Sequence, residues 1–280
     1  MAAPQSLPAP RLTKRSFGAL GIPALTDDAL FERTGVRVAF TGREGGASTG
    51  PYASLNLGSH VGDDAAAVAE NRSRLLAALG TQGAQVIVPN QVHGDEVVLV
   101  GSPQEADEAR RRAREGADAL VVGAAGVAAL LCFADCVPVV AVSPSGRFAV
   151  AHAGWRGVMN GVAAKAVRLL ADADEELLGP RAVATYNVYV GPHIRGCCFE
   201  TGADVREAFA RRYGASCLTA EGNVSLLAAL TTCLAEAGVD RARLVDAGVC
   251  TMDESERYFS YRASGGTCGR QGAIAFREAR

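Results

Sequence analysis

The chain lacks an apolar run approaching the ~20 residues that a membrane-spanning helix requires, so a membrane partner is not expected. It lacks charge of one sign: the formal net charge is −2, no basic face is evident, and nucleic acid is not expected as the main partner. It also lacks a disulfide framework. The eight cysteines are irregularly spaced and lie mostly inside apolar runs, which reads as reduced thiols of a cytoplasmic protein. The opening MAAPQSLPAPRLTKRS has basic residues but no apolar stretch behind them, so it is not expected to be a signal peptide. Residues 1–30 read as a disordered or loosely attached lead-in. Internal repeats, composition shifts and linkers are missing too, so residues 31–280 read as one domain.

What is present is an apolar fraction of 49%, ample for a large core. Val36–Thr41 reads as a first strand, followed by a glycine-rich loop from Gly42 to Gly58 that lets a ligand approach the backbone closely. Asp63 and Asp64 cap a helix running to Leu79, with Gly80 as its stop. Val86–Pro89, Glu96–Val100, Leu120–Val122, Val127–Phe133, Thr185–Val190 and Leu244–Cys250 read as strands. Helical spacing covers Val158–Leu170, Ala203–Arg212 and Val224–Ala237. Gln104–Arg114 is a solvated charged stretch with no assigned function. Residues 1–30 apart, strands and helices alternate with at least one hairpin. The expected class is therefore α/β, with mixed sheets flanked by helices.

The chemistry concentrates in LCFADCVPVVAVSPSGRFAVAHAGWRG, Leu131 to Gly157. Two apolar runs flank the turn Ser143-Pro144-Ser145-Gly146. Pairing them sets Cys136, at the start of the first strand, opposite His152, at the end of the second, within about one step of register. The chain has only four histidines, and His93, in NQVHG, is a second one placed in a turn. Cys136, His93 and His152 have the composition of a zinc site with one open position. The same atoms also fit a metal-free dyad, with Cys136 as nucleophile, His152 as base and Asp135 as the orienting carboxylate. Arg156, at the start of the helix after His152, and Arg43, in the glycine-rich loop, are candidate anion contacts.

The segments FTGREGGAS, SLNLGSHVGDD, NQVHGDEVV, ADALVV, ADCVPVV, AHAGWRGVMNGV, GPHIRGCCFETG and FSYRASGGTCGRQGAIA occur in this order. They resemble the YfiH, or laccase-domain, family, formerly labelled multicopper polyphenol oxidase, over roughly Val36 to Phe276. The resemblance implies a single layered α/β domain with a zinc site on His93, Cys136 and His152, which would also be the catalytic residues. It implies purine nucleosides and phosphate as partners, with phosphorolysis of adenosine, inosine and methylthioadenosine. It further implies adenosine deamination, for which Asp135 is the nearest acid–base candidate and Glu44 the next. The family's substrate-loop arginine falls on Arg43, with Asn56 on the same loop. SYRASGG lacks the second basic residue expected after Arg262, and ETG replaces a more apolar EVG near Glu200; both departures bear on substrate preference.

A multicopper oxidase needs about ten histidine ligands, imidazole being the usual donor to such coppers; four histidines exclude that chemistry on supply. Two other readings stay open: a cysteine-dependent amidase or hydrolase acting on peptidoglycan precursors, and a metal-stabilised binding protein without turnover.

Overall fold

The computed structural model describes residues 6–278. In chain order it begins with β1 (Thr13–Phe17), β2 (Ile22–Thr26), α1 (Asp28–Thr34), β3 (Val36–Thr41), α2 (Ala65–Ala78), β4 (Gln85–Ile87) and β5 (Val97–Val100). It continues with α3 (Ala106–Glu115), β6 (Ala119–Val122), β7 (Val127–Phe133), β8 (Val137–Val142), β9 (Phe148–Ala153), α4 (Trp155–Asn160) and α5 (Val162–Leu178). The last elements are β10 (Asn187–Val190), α6 (Ala203–Tyr213), α7 (Leu226–Glu236), β11 (Leu244–Asp246) and β12 (Gln271–Arg277).

Two six-stranded sheets form, ordered β1-β2-β3-β12-β7-β4 and β11-β10-β8-β9-β6-β5. Both are mixed: β4–β7, β5–β6 and β10–β11 are parallel and the other pairings antiparallel. Their facing surfaces share one core, with Phe40, Leu131 and Phe133 from the first sheet against Val140, Phe148, Val150 and Tyr189 from the second. Helices α4, α5, α6 and α7 cover the outer face of the second sheet. Helix α2 and Leu55 and Leu57 of the glycine-rich loop cover the outer face of the first. This four-layer order explains why VPVVAV in β8 is buried at every position: a strand covered on both faces has no solvent side to make polar.

The structure corrects the lead-in expected over residues 1–30. Residues 13–26 form the β1–β2 hairpin, which pairs onto β3 and ends the first sheet. The turn uses Gly18 and Gly21 at φ 64° and 61°, a left-handed conformation that costs glycine little. The reason for the misreading is physical. The β1 segment TKRSF is a charged edge strand, the composition that blunts unwanted edge pairing, and Pro23 interrupts the pattern of β2. Residues 1–5 of that expectation lie outside the described residues. Two further boundaries move: Gly161, at φ 75°, divides the helix expected over Val158–Leu170 into α4 and α5, and β11 stops at Asp246, releasing the chain before Cys250.

Candidate active site

Two connections cross from the first sheet to the second: β4 to β5, which carries His93, and β7 to β8, which carries Ala134, Asp135 and Cys136. They cross beside β9, and His152, within β9, faces the same inner layer; its ring lies 5.3 Å from that of Phe133. The crossings need tight backbone. Among the described residues, His93 and Asp135 are the non-glycine residues at positive φ, 59° and 82°, conformations that cost about 1–3 kcal/mol each and persist only when their surroundings hold them.

The three predicted donors converge. Cys136 Sγ lies 3.8 Å from His93 Nε2, the two imidazole rings meet edge to face at 4.9 Å, and one donor atom from each residue lies within 4.8 Å of the others. The register differs from the expected one. His152 pairs with Pro138 and Ala153 with Val137, so Cys136 is two residues from His152's partner. A two-residue offset keeps both side chains on one face, as diagonal neighbours. Gly154 closes the space around them: a Cβ there would sit 2.9 Å from Cys136 Sγ and 3.0 Å from His93 Cδ2.

The carboxylate that organises this set is Asp118, fully buried just before β6. Its Oδ1 is 2.7 Å from His152 Nδ1 and accepts the His93 backbone N–H. Its Oδ2 accepts from Val92 and Gly94, while its carbonyl accepts the N–H of His152. One residue therefore holds the left-handed turn at His93 and fixes the His152 ring with Nε2 toward the thiol. The orienting role expected of Asp135 is thereby corrected. Asp135 Oδ1 accepts from Thr251 Oγ1 and Oδ2 from the Arg262 backbone N–H, both at 2.7 Å. Sequence reasoning passed over Asp118, although an acid directly before a wholly apolar strand was a signal: buried there, it must find donors.

Burial alone would raise the Cys136 thiol, but the charge and hydrogen bonds of His152 and His93 reverse this and hold it at about 6. Burial likewise opposes charge on His152, and the thiolate with Asp118 lifts it to about 9. Without an ion, the pair rests as thiolate and imidazolium. The thiol proton has moved to His152, so a metal binding both side chains would displace one proton, from the imidazolium.

The set opens on a cleft of about 1140 Å³. Arg72 of α2, Arg110 and Arg114 of α3, and Arg262 and Arg270 of the C-terminal loop line it, with Phe199 and Tyr261 as its aromatic surface. Asp135 is the one carboxylate on its wall among the described residues. Arg43 is not on that wall: it donates to the carbonyls of Ala53 and Ser255 and stacks over Phe259. Asn56 is buried with its amide fully used, donating to Gly58 O and Asp63 and accepting from the N–H groups of Gly58 and Arg270. Arg156 is exposed and stacks on Trp155, and Glu44 lies elsewhere on the surface. These four residues thus fix loops or face solvent, and the cleft's cations come from positions to which the sequence reading assigned no role.

Residues 37–278 match the family model described as multi-copper polyphenol oxidoreductase laccase. The chain is 34% identical over 257 residues, 84% of this chain and 88% of the relative, to purine nucleoside phosphorylase YlmD of Geobacillus stearothermophilus. It is 36% identical over 239 residues, 81% of this chain and 88% of the relative, to purine nucleoside phosphorylase YfiH of Escherichia coli strain K12. The crystal structure of the Geobacillus stearothermophilus YlmD protein superposes with a TM-score of 0.80 at 32% identity, covering 95% of this chain and all of that one.

Proposed function

This chain belongs to the multi-copper polyphenol oxidoreductase laccase family, and from that premise we propose that it is a zinc-dependent purine nucleoside phosphorylase of the cytoplasm. The relatives' names support the nucleoside class. The observation that carries the reading is the opening of a His93–Cys136–His152 donor set onto a cleft lined by five arginines. Two imidazoles and a thiolate are ligands zinc accepts, and three protein ligands leave a fourth position open. Asp118 supports this fit by turning His152 Nε2 to the donor set, the usual arrangement behind a ligating histidine. Zinc supplies Lewis-acid stabilisation of developing negative charge when bound.

The chain's own residues do the rest. In phosphorolysis a phosphate oxygen forms a bond to ribose C1′ while the bond from C1′ to the purine nitrogen breaks, and the base leaves with that electron pair. Arg72, Arg262 and Arg270 present cations to the entering phosphate and spread its charge. All three are anchored: Arg72 donates to Leu57 O, Arg262 to Glu200 O and Arg270 to the carbonyls of Cys268 and Gly269, so little ordering remains when phosphate arrives. Phe199 and Tyr261 offer ring faces to the purine. Deamination of adenosine in the same cleft would use Asp135 to move the proton, since Glu44 does not reach it.

The metal-free hydrolase reading also has an observation behind it, because Cys136, His152 and Asp118 form a thiolate–imidazolium–carboxylate chain. Metal content and phosphate dependence separate the two. Zinc-loaded protein incubated with adenosine and inosine should release free base only when phosphate is present, and Cys136→Ala should lower that rate more than ~100-fold, beyond what loss of a supporting group costs. No base from either nucleoside would overturn the phosphorylase reading. Unchanged activity in Cys136→Ala would overturn the site.

A further inference from the structure

The Cys197-Cys198 pair has no part in the cleft chemistry, yet it does not stand alone. Cys197, Cys198, Cys250 and Asp253 each direct a donor atom into one small volume, all within 4.8 Å of one another. The Sγ atoms of Cys197 and Cys198 are 3.4 Å apart, far beyond a disulfide bond. Both thiols meet the Asp253 carboxylate, Cys197 at 3.3 Å and Cys198 at 3.1 Å. Cys250 closes the cluster from below at 6% exposure, while Cys197 and Asp253 reach solvent, which leaves an entry path. Zinc–sulfur bonds of about 2.3 Å at tetrahedral angles put neighbouring ligand atoms ~3.8 Å apart, a separation these side chains meet with small rotations.

The backbone holds the two contributing loops in place. His193 and Cys250 form a parallel bridge, closed by the Thr251 N–H to His193 O at 3.1 Å. Asp135 clamps both sides: its carbonyl accepts from Ile194 at 2.9 Å, and its carboxylate accepts from Thr251. Three soft donors and one carboxylate on pre-positioned loops select a thiophilic divalent cation over calcium or magnesium.

We propose that Cys197, Cys198, Cys250 and Asp253 form a second metal site, closed by four protein ligands, for a zinc-type cation. It differs in kind from the first set, whose three ligands leave a position open: four ligands make a structural site. Its loops also carry the cleft wall, because Phe199 follows Cys198 and Arg262 reaches back to Glu200 O. Loading the site would therefore stiffen the aromatic and cationic side of the cleft.

The test uses zinc, and cobalt as its spectroscopic stand-in, and reads metal binding independent of any nucleoside activity. Reduced protein loaded with zinc and dialysed should retain about two ions per chain, and Cys136→Ala about one. The Cys197→Ser/Cys198→Ser variant in the Cys136→Ala background should retain none. Cobalt in Cys136→Ala should give thiolate charge-transfer absorption and the visible bands of a tetrahedral ion, both lost in the combined variant. Asp253→Asn, which changes one exposed oxygen, guards against a folding defect: it should weaken zinc retention while leaving the thiol count and circular dichroism unchanged. The proposal is overturned if Cys136→Ala binds no zinc, or if its zinc survives replacement of both cysteines. Protein recovered two hydrogens lighter than its fully reduced mass, with a Cys197–Cys198 disulfide formed by oxidation in place of the ion, would overturn it as well.

Discussion

Asp118 shows how much one buried side chain can organise. Its carboxylate meets the His152 ring and three successive N–H groups from Val92 to Gly94, so it sets the direction of one donor and the backbone of another. Asp118→Asn keeps the shape but replaces an acceptor oxygen with a donating amide. Zinc affinity, measured by competition with a chromophoric chelator, should fall by about 10–100-fold, the usual cost of losing a supporting partner. Cys136 makes a second prediction at this scale. Its thiol is lowered from 9.0 to about 6, so the reactive thiolate persists as the pH falls and disappears only near 6. Alkylation of Cys136 in metal-free protein should be level above pH 7 and drop below about 6. A rate still climbing through pH 8 would mean an ordinary thiol. Bound zinc should block the reaction throughout.

At the scale of elements, the site depends on two loops that cross between sheets and on one strand they cross beside. The β8–β9 pairing was legible because SPSG separates two apolar runs, but its register was not. The turn sequence fixes neither how far His152 lies inside β9 nor the two-residue offset that leaves it diagonal to Cys136. Gly154, which follows β9 and stands at the N-cap of α4, has no side chain to place where the thiol and the His93 ring occupy the space. Gly154→Ala should overpack the site by about 1–3 kcal/mol, a loss visible in thermal unfolding. It should also displace Cys136 enough to reduce zinc retention, whereas a loss of stability with unchanged zinc affinity would show that the glycine serves packing alone.

At the scale of the whole molecule, the four layers gather the cleft from α2, α3, the β7–β8 crossing and the loops after β10 and β11. Arg72 and Arg262 are far apart in the chain and line one cleft only because the sheets stack. The same stacking ties the N-terminal hairpin down: Asp27, the cap of α1, accepts from Leu30 and Arg11 and from Tyr189 Oη of the opposite sheet at 2.8 Å. Tyr189→Phe strands part of that buried carboxylate and should lower stability by about 1.5–3 kcal/mol, as expected for a hydrogen bond to a charged group. Denaturant unfolding measures it; an unchanged midpoint would detach Asp27 from the second sheet's stability.

By itself the sequence determined the α/β class and most strands and helices, and it singled out His93, Cys136 and His152, whose side chains the fold brings within reach of one another. Each of these rests on local pattern or residue chemistry: apolar runs between turn residues, helical spacing, and side chains with ligand atoms. The tertiary structure alone decided that residues 13–26 complete a sheet, that Asp118 rather than Asp135 orients His152, and that Arg72, Arg262 and Arg270 rather than Arg43 and Arg156 face the cleft. The reason is the range of the forces. A charged edge strand is stable only through the neighbour it pairs with, and a buried carboxylate takes its role from whichever donors the fold brings to it. An arginine faces a cleft or a carbonyl according to how the layers stack, which no window of neighbouring residues encodes.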